Sequence, residues 1–199
     1  MRNYRFVLVK SILLTAALVC LLPTIAAAQT VTTQLTATDV FNPYGLFGSA
    51  PVGAFLSSGT VTCPGTQPTG NPMQPCPPGS RMNFRDVSWK SRVVSPSALL
   101  TGWFNLEGNN NLDADATGPV WGTFRIELDA GGVWEGSWTA DRSKPENVWV
   151  VRLRGIGLGR GGNVDGMHLR FTEVAPTPTF MPIFYIGSID AEILVPPSR

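Results

Sequence analysis

Hydrophobic and polar residues alternate in short runs along most of this 199-residue chain, and turn residues separate the runs. Alternation with a period of two is typical of half-buried β-strands, and after residue 28 no segment keeps a helical period over three turns. The turn-rich run 108–118 is expected to be a loop. The predicted strands cover 31–40, part of 46–62, 81–94, 99–106, both halves of 119–141, 148–156, 167–174 and 183–195. This pattern predicts an all-β fold of about eight to nine strands.

The composition favours a barrel over a sandwich. The chain has 21 glycines and six tryptophans. Glycines within strands let a sheet coil tightly, and large aromatic side chains fill a narrow interior. A change of phase between Phe84 and Val87 also predicts a β-bulge near Arg85 and Asp86, which would bend that strand. We therefore expect a single antiparallel β-barrel.

The stretch 119–141 predicts a β-hairpin whose register follows from its pattern. If 130–132 form a three-residue loop, Asp129 lies opposite Val133, and the glycines supply the positive φ that such loops need. A two-residue loop would move Trp138 to the polar face, so the pattern selects the three-residue loop. The apolar face would then carry Phe124, Ile126, Leu128, Trp134 and Trp138, and Trp121 would lie on the polar face.

The first 28 residues predict a secretory signal peptide. A basic start precedes an apolar core at 11–22, and three alanines follow at 26–28. We place cleavage before Gln29, which leaves one barrel domain at 29–199. The residue before Cys20 is too large for a lipoprotein signal, and the apolar run is too short for a retained membrane helix. We expect a secreted or periplasmic protein.

Charge and cysteine content limit the possible partners. Without the predicted signal peptide the chain keeps 12 basic and 14 acidic residues, because three of its 15 basic residues lie in that segment. A net charge near −2 gives no electrostatic case for binding nucleic acid or an anionic membrane surface. Cys63 and Cys76 remain, and in an oxidising compartment they predict a structural disulfide. A redox pair needs closer spacing, and a zinc site needs more ligands.

Three short motifs are better explained as structural features than as cofactor, metal or catalytic sites. Residues 157–162 match the dinucleotide motif G-x-G-x-x-G, but no helix follows to carry the pyrophosphate, so a glycine-rich bend is preferred. Asn111, Asp113 and Asp115 are spaced like the start of a calcium loop, but the later glycine and glutamate are missing. The single histidine, His168, lacks the partners of a catalytic triad or a metal site. We expect no cofactor and no metal, and the sequence assigns no catalytic residue.

Charged residues within the strands allow two interpretations. Arg152 and Arg154 share one face of their strand. Asp190 and Glu192 share a face of the last strand, and Glu173 precedes them. Inside the barrel, such groups would form a buried network with pKa values suited to acid–base chemistry, but the preferred interpretation is an outward polar face. The candidates for lining a ligand cavity are Phe124, Trp134, Trp138, Arg152, Arg154 and Glu173.

One stretch also carries a resemblance. W-G-T-F at 121–124, D-x-G-G-x-W-x-G-x-W at 129–138 and G-x-G-x-G at 155–159 resemble small secreted bacterial proteins of unassigned function. Those proteins look like relatives of the barrel seen in allene oxide cyclases and dirigent proteins. The resemblance covers roughly 119–172 and implies about eight antiparallel strands around a central apolar cavity. None of the catalytic residues of those plant enzymes can be matched here, so the resemblance implies no activity.

Three functions remain open on the sequence. The first, which we expect, is a non-catalytic secreted barrel that binds a small apolar ligand. The second is a cyclase or isomerase that uses the cavity, because such chemistry can run on desolvation and one or two polar groups. The third is an outer-membrane barrel, against which stand the missing C-terminal aromatic residue and the clustering of the aromatics. We expect no nucleic-acid partner and no integral membrane segment after signal cleavage.

Overall fold

The strands close into an antiparallel β-barrel, as the sequence predicted. The computed structural model describes residues 31–71, 75–177 and 184–196, so the predicted signal peptide lies outside the described residues. In chain order the strands are β1 (Val31–Phe41), β2 (Ala54–Ser57), β3 (Thr60–Thr62), β4 (Met82–Val94), β5 (Gly102–Leu112), β6 (Gly118–Leu128), β7 (Val133–Ser143), β8 (Trp149–Arg160), β9 (His168–Thr177) and β10 (Tyr185–Val195). Short 3-10 turns occupy Leu46–Gly48, Pro145–Asn147 and Gly162–Val164. Within these described ranges, no helix is long and apolar enough to cross a membrane.

The barrel has eight strands, and two shorter strands complete its closing seam. From β4 to β10 each strand pairs with the next, β10 pairs with β1, and β1 closes against β4. The closing contact joins three residues of β1, centred on Asp39, to three residues of β4, centred on Val93. The rest of the same β4 edge is covered by β2 and β3. These extra strands protect an edge that would otherwise be open to pairing with another chain.

The predicted bulge lies in β4. The pairing of β4 with β5 shifts between Phe84 and Val87, and Asp86 takes a φ of 58°. Because the bulge inserts a residue, Phe84 and Val87 both reach the barrel interior although they are three positions apart.

Two strands run further than predicted. β5 continues to Leu112, which is 2% exposed, so the expected long loop shrinks to 113–117. β8 continues to Arg160, so Gly157 lies within a strand and the predicted glycine bend begins at Gly161. In both cases pairing with two neighbouring strands extends a segment whose composition alone suggests a turn.

The β6–β7 hairpin has the predicted three-residue loop, but one position earlier. Leu128 pairs with Gly132, its amide donating to the Gly132 carbonyl at 3.1 Å, and the Gly131 amide donates to the Leu128 carbonyl at 3.0 Å. The predicted pairing of Asp129 with Val133 is therefore wrong. Both glycines take a φ of 86°, which lets the second one serve as the first paired residue after the loop. The shift moves the pairing by an even number of residues, so the predicted buried face is confirmed.

One end of the barrel is filled by a packed aromatic core. The rings of Phe104, Phe124 and Phe171 pack edge to face with centroids 5.2 to 5.8 Å apart. Trp134 is fully buried beside them and donates its indole N–H to the Leu99 carbonyl at 2.8 Å. A glycine makes this packing feasible, since a Cβ at Gly155 would lie 2.1 Å from the Phe171 ring. Large rings fill this end, so any cavity has to lie at the other.

The predicted disulfide between Cys63 and Cys76 is present. Their Cα atoms lie 5.6 Å apart, and both residues are buried. They pack against Met82 and Phe84 of β4 and Leu112 of β5. The bridge therefore holds Cys63 and Cys76 against the barrel end opposite the aromatic core.

Candidate functional site

A cavity of about 130 Å³ occupies the end of the barrel opposite the packed core. All eight barrel strands and β2 contribute to its wall, which is predominantly apolar. An engineered apolar cavity of about 150 Å³ takes up benzene, so this volume suits a molecule of about one ring. Its aromatic lining residues are Phe41, Phe55, Phe84, Trp89, Trp138 and Tyr185.

Small residues at inward-facing positions create this space. In β5 the inward positions change from Phe104 to Gly108, and in β9 they change from Phe171 to Ala175. A Cβ at Gly108 would lie 3.0 Å from the Trp138 ring, so the glycine admits that ring to the wall. The inward-facing side chains thus fill one end of the barrel and leave a cavity at the other, because large side chains give way to small ones along β5 and β9.

Two carboxyl groups meet at the inner wall of this cavity. Asp39 on β1 is fully buried, and Glu173 on β9 is 4% exposed. β10 lies between their strands, and its residue at this level is Gly187, which pairs with Asp39. A Cβ at Gly187 would lie 2.2 Å from Glu173 Oε1, so the glutamate carboxyl occupies the space above the glycine. The missing side chain lets Glu173 reach across β10 to Asp39.

The two oxygens of the Asp39 carboxyl differ in their hydrogen bonds. The Tyr185 hydroxyl donates to Asp39 Oδ2 at 3.1 Å, and the Trp89 indole N–H donates to that hydroxyl at 3.0 Å. Asp39 Oδ1 is buried and has no N–H or hydroxyl donor. Asp39 and Glu173 are nevertheless placed to hydrogen-bond with each other, which requires a proton on one of the two carboxyls. Two buried carboxyls this close together favour a state in which they share one proton.

Burial controls the ionisation of this group. Desolvation raises the pKa of Asp39 to about 7, against the opposing effect of hydrogen bonds from Ser91 and Tyr185. Desolvation, and then the charge and hydrogen bond of Asp39, raise the pKa of Glu173 well above its usual value. Because Glu173 receives fewer stabilising hydrogen bonds, we assign the shared proton to it near neutral pH. The pair then carries about one negative charge in a low-dielectric site.

Arg142 is the second charged group on the cavity wall. It lies on β7, is 7% exposed, and burial lowers its pKa to about 10, so it stays protonated near neutral pH. Its guanidinium carbon lies 5.7 Å from the centroid of the Trp149 ring. The arginine does not contribute to the pKa shift of Asp39 or Glu173. The cavity thus carries an acidic group and a basic group at separate places on an apolar wall.

The structure places the sequence-predicted cavity residues in three different environments. Trp138 and Glu173 line the cavity, the latter with a buried carboxyl. Phe124 and Trp134 do not line it, because they lie in the packed core at the other end of the barrel. Arg152 and Arg154 do not line it either, because Val151 and Leu153 face inward on β8 and the arginines are exposed on the outer face. For Arg152 and Arg154 the outward alternative is the one observed.

Asp39, Tyr185 and Arg142 are site residues that the sequence did not single out. A local signal existed for the aspartate, since it shares the inward phase of β1 with Ala37 and Phe41. A charged residue in phase with apolar ones marks a buried charge. The same test identifies Arg142, which shares the inward phase of β7 with Trp138.

The other residues that the sequence analysis considered as possible metal or catalytic groups lie on the exposed surface. Asp113 pairs with Arg81 at 3.3 Å, and Asp115 accepts a hydrogen bond from the Thr117 hydroxyl at 2.7 Å, as in a polar turn. His168 is exposed at the start of β9. In the described part of the chain, no three histidine, cysteine or acidic residues are grouped so as to hold a metal ion.

Comparison with known proteins adds a similarity of fold. No family model and no curated protein matches the sequence. Among solved structures the chain is similar to a pterocarpan synthase dirigent protein, with a TM-score of 0.46 and 11% identity over 86% of this chain and 88% of that one. Dirigent proteins are one of the two classes named in the sequence resemblance. A similarity this weak carries no functional argument, so the function has to be inferred from the chemistry of the site.

Proposed function

We propose that this barrel binds one small apolar molecule in its cavity. The cavity lies between the aromatic core and the barrel end against which the Cys63–Cys76 disulfide packs. The observation that carries the proposal is the cavity itself, an apolar space of about 130 Å³ in a barrel whose other end is filled. Ligand sites are typically such concave apolar pockets with a few polar groups that orient the ligand. Among the described residues, Glu173 and Arg142 are the charged groups on the cavity wall.

We also propose that binding takes place outside the cytoplasm and in water. The buried Cys63–Cys76 disulfide is typical of an oxidising compartment. The outer barrel face carries exposed charges along the strands, among them Arg125, Arg154 and Glu127, and charges facing lipid are costly near the middle of a membrane. Fractionation of cells that make the full chain tests this, with recovery without detergent as the expected result and extraction only with detergent as the contradicting one.

The binding proposal can be tested by filling the cavity. Benzyl alcohol, a neutral molecule with a single ring, should bind the wild-type protein with measurable heat in calorimetry. Val120→Phe adds a ring to the cavity wall and should abolish that heat. Thr123→Phe adds the same ring to the exposed face of the same strand and should leave binding unchanged. Absence of any binding to the wild type, or equal binding to both variants, would contradict the proposal.

A second candidate function is double-bond isomerisation, and the Asp39–Glu173 pair is the observation that favours it. Within the described ranges, Glu173 is the acidic residue that lines the cavity, and Asp39 stands behind it as a second proton acceptor. A carboxyl that shares one proton can give it to one carbon of a bound molecule and take another from a second carbon. The double bond then moves with no net change in atoms, and raised pKa values keep this exchange available near neutral pH.

This second candidate predicts turnover of a simple ring substrate. Cyclohex-3-enone should be converted to its conjugated isomer, which absorbs more strongly in the ultraviolet, and solvent deuterium should enter the product. Glu173→Gln should remove the activity, whereas Asp190→Asn, on the exposed face of β10, should retain it. If the ketone binds in the cavity and is not isomerised faster than in buffer, the barrel is a binding protein and this candidate fails for that substrate class.

A further inference from the structure

Among the residues that the structure describes, no cation forms an ion pair with the acid pair at the cavity wall. None of the ion pairs in the described part of the chain includes Asp39 or Glu173. No lysine or arginine contributes to the ionisation of either group. Within the described residues, Asp39 Oδ1 is buried without a hydrogen-bond partner, and Glu173 is the acid that interacts with Asp39. A buried acid pair that has only a shared proton as its positive partner can exchange that proton for another cation, so an arrangement of this kind indicates a cationic ligand.

Aromatic rings surround the same end of the cavity. The Phe41 ring stacks on Tyr185 with centroids 5.4 Å apart, and Phe55 meets Phe41 edge-on at 5.0 Å. Trp89 packs against this group and holds the Tyr185 hydroxyl. The faces of aromatic rings attract cations within about 6 Å, and cages of such rings recognise ammonium groups. These rings therefore suit a positively charged head group beside Glu173.

We propose that the ligand class of this cavity is a small apolar ammonium ion, bound in exchange for the proton that Asp39 and Glu173 share. The inference rests on the proposed binding function and narrows it. The ammonium donates to the Glu173 carboxylate, the displaced proton passes to solvent, and the apolar part of the ligand lies against Trp138 and Leu153. Charge is balanced, since one cation replaces another.

The other groups that face the pair do not supply this charge. Ser91 and Trp89 approach it from β4 and Tyr185 from β10, and all three are neutral near pH 7. Arg142 is the cation on the cavity wall, but it lies on β7 beside Trp149. The arginine would favour an anionic ligand, which is the main competing prediction for ligand charge.

Three isosteric probes separate these possibilities. Benzylamine, benzyl alcohol and benzoate share one ring and differ in charge, and their affinities can be compared at pH 7 by calorimetry. We expect benzylamine to bind at least about tenfold more tightly than benzyl alcohol, as a desolvated cation–π and ion-pair contact requires. Repeating the titration in buffers of different ionisation enthalpy should show release of about one proton per benzylamine and none with benzyl alcohol.

Variants then show whether Glu173 is responsible for the tighter binding of benzylamine. Glu173→Gln should reduce benzylamine affinity to that of benzyl alcohol and remove proton release. Asp190→Asn removes a carboxylate from the exposed face of β10 and serves as the matched control.

The outcomes distinguish the inference from the function on which it rests. If benzyl alcohol binds as well as benzylamine, the binding function stands and the ammonium proposal is overturned. Tighter binding of benzoate would also overturn it and would make Arg142 the determinant of ligand charge. If none of the three probes binds the wild-type protein, the binding function fails as well. These comparisons use the wild-type chain, so they hold even if a variant does not fold.

Discussion

Glu173 extends over Gly187 toward Asp39, although a whole strand separates the two acids. Asp39 belongs to the short contact through which β1 closes the barrel against β4, where it pairs with Val93. The buried acid pair therefore lies at the closing seam of the barrel as well as on the wall of its cavity. Protonation, the proposed ligand binding and barrel stability are linked at this point because one group of atoms takes part in all three.

The stability of the protein should fall as pH rises through the acidic range. The pKa of Asp39 is about 7 in the folded chain, against an ordinary value of 3.8. Between these values the folded chain holds a proton that the unfolded chain releases, so the free energy of unfolding decreases with pH. The decrease attributable to Asp39 is on the order of 4 kcal/mol. The raised pKa of Glu173 acts in the same direction and extends the fall to higher pH.

Urea denaturation from pH 4 to pH 8 measures this effect. Asp39→Asn keeps the shape of the side chain but cannot ionise, so its stability should change less with pH and should exceed that of the wild type at pH 8. Asp190→Asn, at an exposed position of β10, should follow the wild-type pH dependence. A wild-type stability that rises between pH 4 and pH 7 would contradict the assignment of raised pKa values.

A side chain at position 187 should displace the Glu173 carboxyl. The Cβ of Gly187→Ala would lie 2.2 Å from Oε1, and we expect a loss of about 1–3 kcal/mol, typical of overpacking in a buried site. Shortening the glutamate in Glu173→Ala removes the atoms that clash. The double variant should therefore be more stable than the sum of the two single effects predicts, which chemical denaturation of all four proteins can measure. Strict additivity would show that the two positions do not contact each other.

The two tryptophans of the β6–β7 hairpin should differ strongly in their contribution to stability. Trp138 is 3% exposed, donates to the Thr123 carbonyl at 3.0 Å and packs edge-on against Trp89. Trp138→Ala should therefore cost about 3–5 kcal/mol. Trp121 lies half-buried on the outer face beneath the Arg85 guanidinium, and Trp121→Ala should cost about 1 kcal/mol or less. Guanidinium denaturation ranks the two, and the reverse order would mean that the hairpin faces are inverted.

Removing the disulfide should destabilise the cavity end of the barrel. Cys63 and Cys76 are 13 residues apart in sequence, and closing a loop of this size stabilises a protein by about 3 kcal/mol in the chain-entropy model. The bridge also packs against Phe84, which lines the cavity. The double variant Cys63→Ala/Cys76→Ala should lose about that stability in chemical denaturation and should also bind benzyl alcohol more weakly. Unchanged affinity would show that the cavity wall is independent of the bridge.

Much of the barrel could be predicted because the period of a strand is a local property. The alternation in β6 and β7 assigned Phe124 and Trp138 to the buried face, and that assignment holds even though the predicted pairing was wrong by one loop position. Moving the loop by one position shifts the pairing by two residues. Every side chain then stays on the same face, so the prediction of buried faces tolerates this error. The ends of β5 and β8 were harder to place because pairing with two neighbours extends segments rich in asparagine or glycine.

The sequence by itself determined the all-β class, the faces of the strands and the Cys63–Cys76 bridge, because each depends on residues that are close together in the chain. The tertiary structure alone decided that Glu173 faces Asp39 while Arg152 and Arg154 remain outside. That outcome depends on how β9, β10 and β1 lie side by side and on the space above Gly187. No local pattern encodes which residues meet across a strand, so the acid pair and its cavity emerge only when the barrel closes.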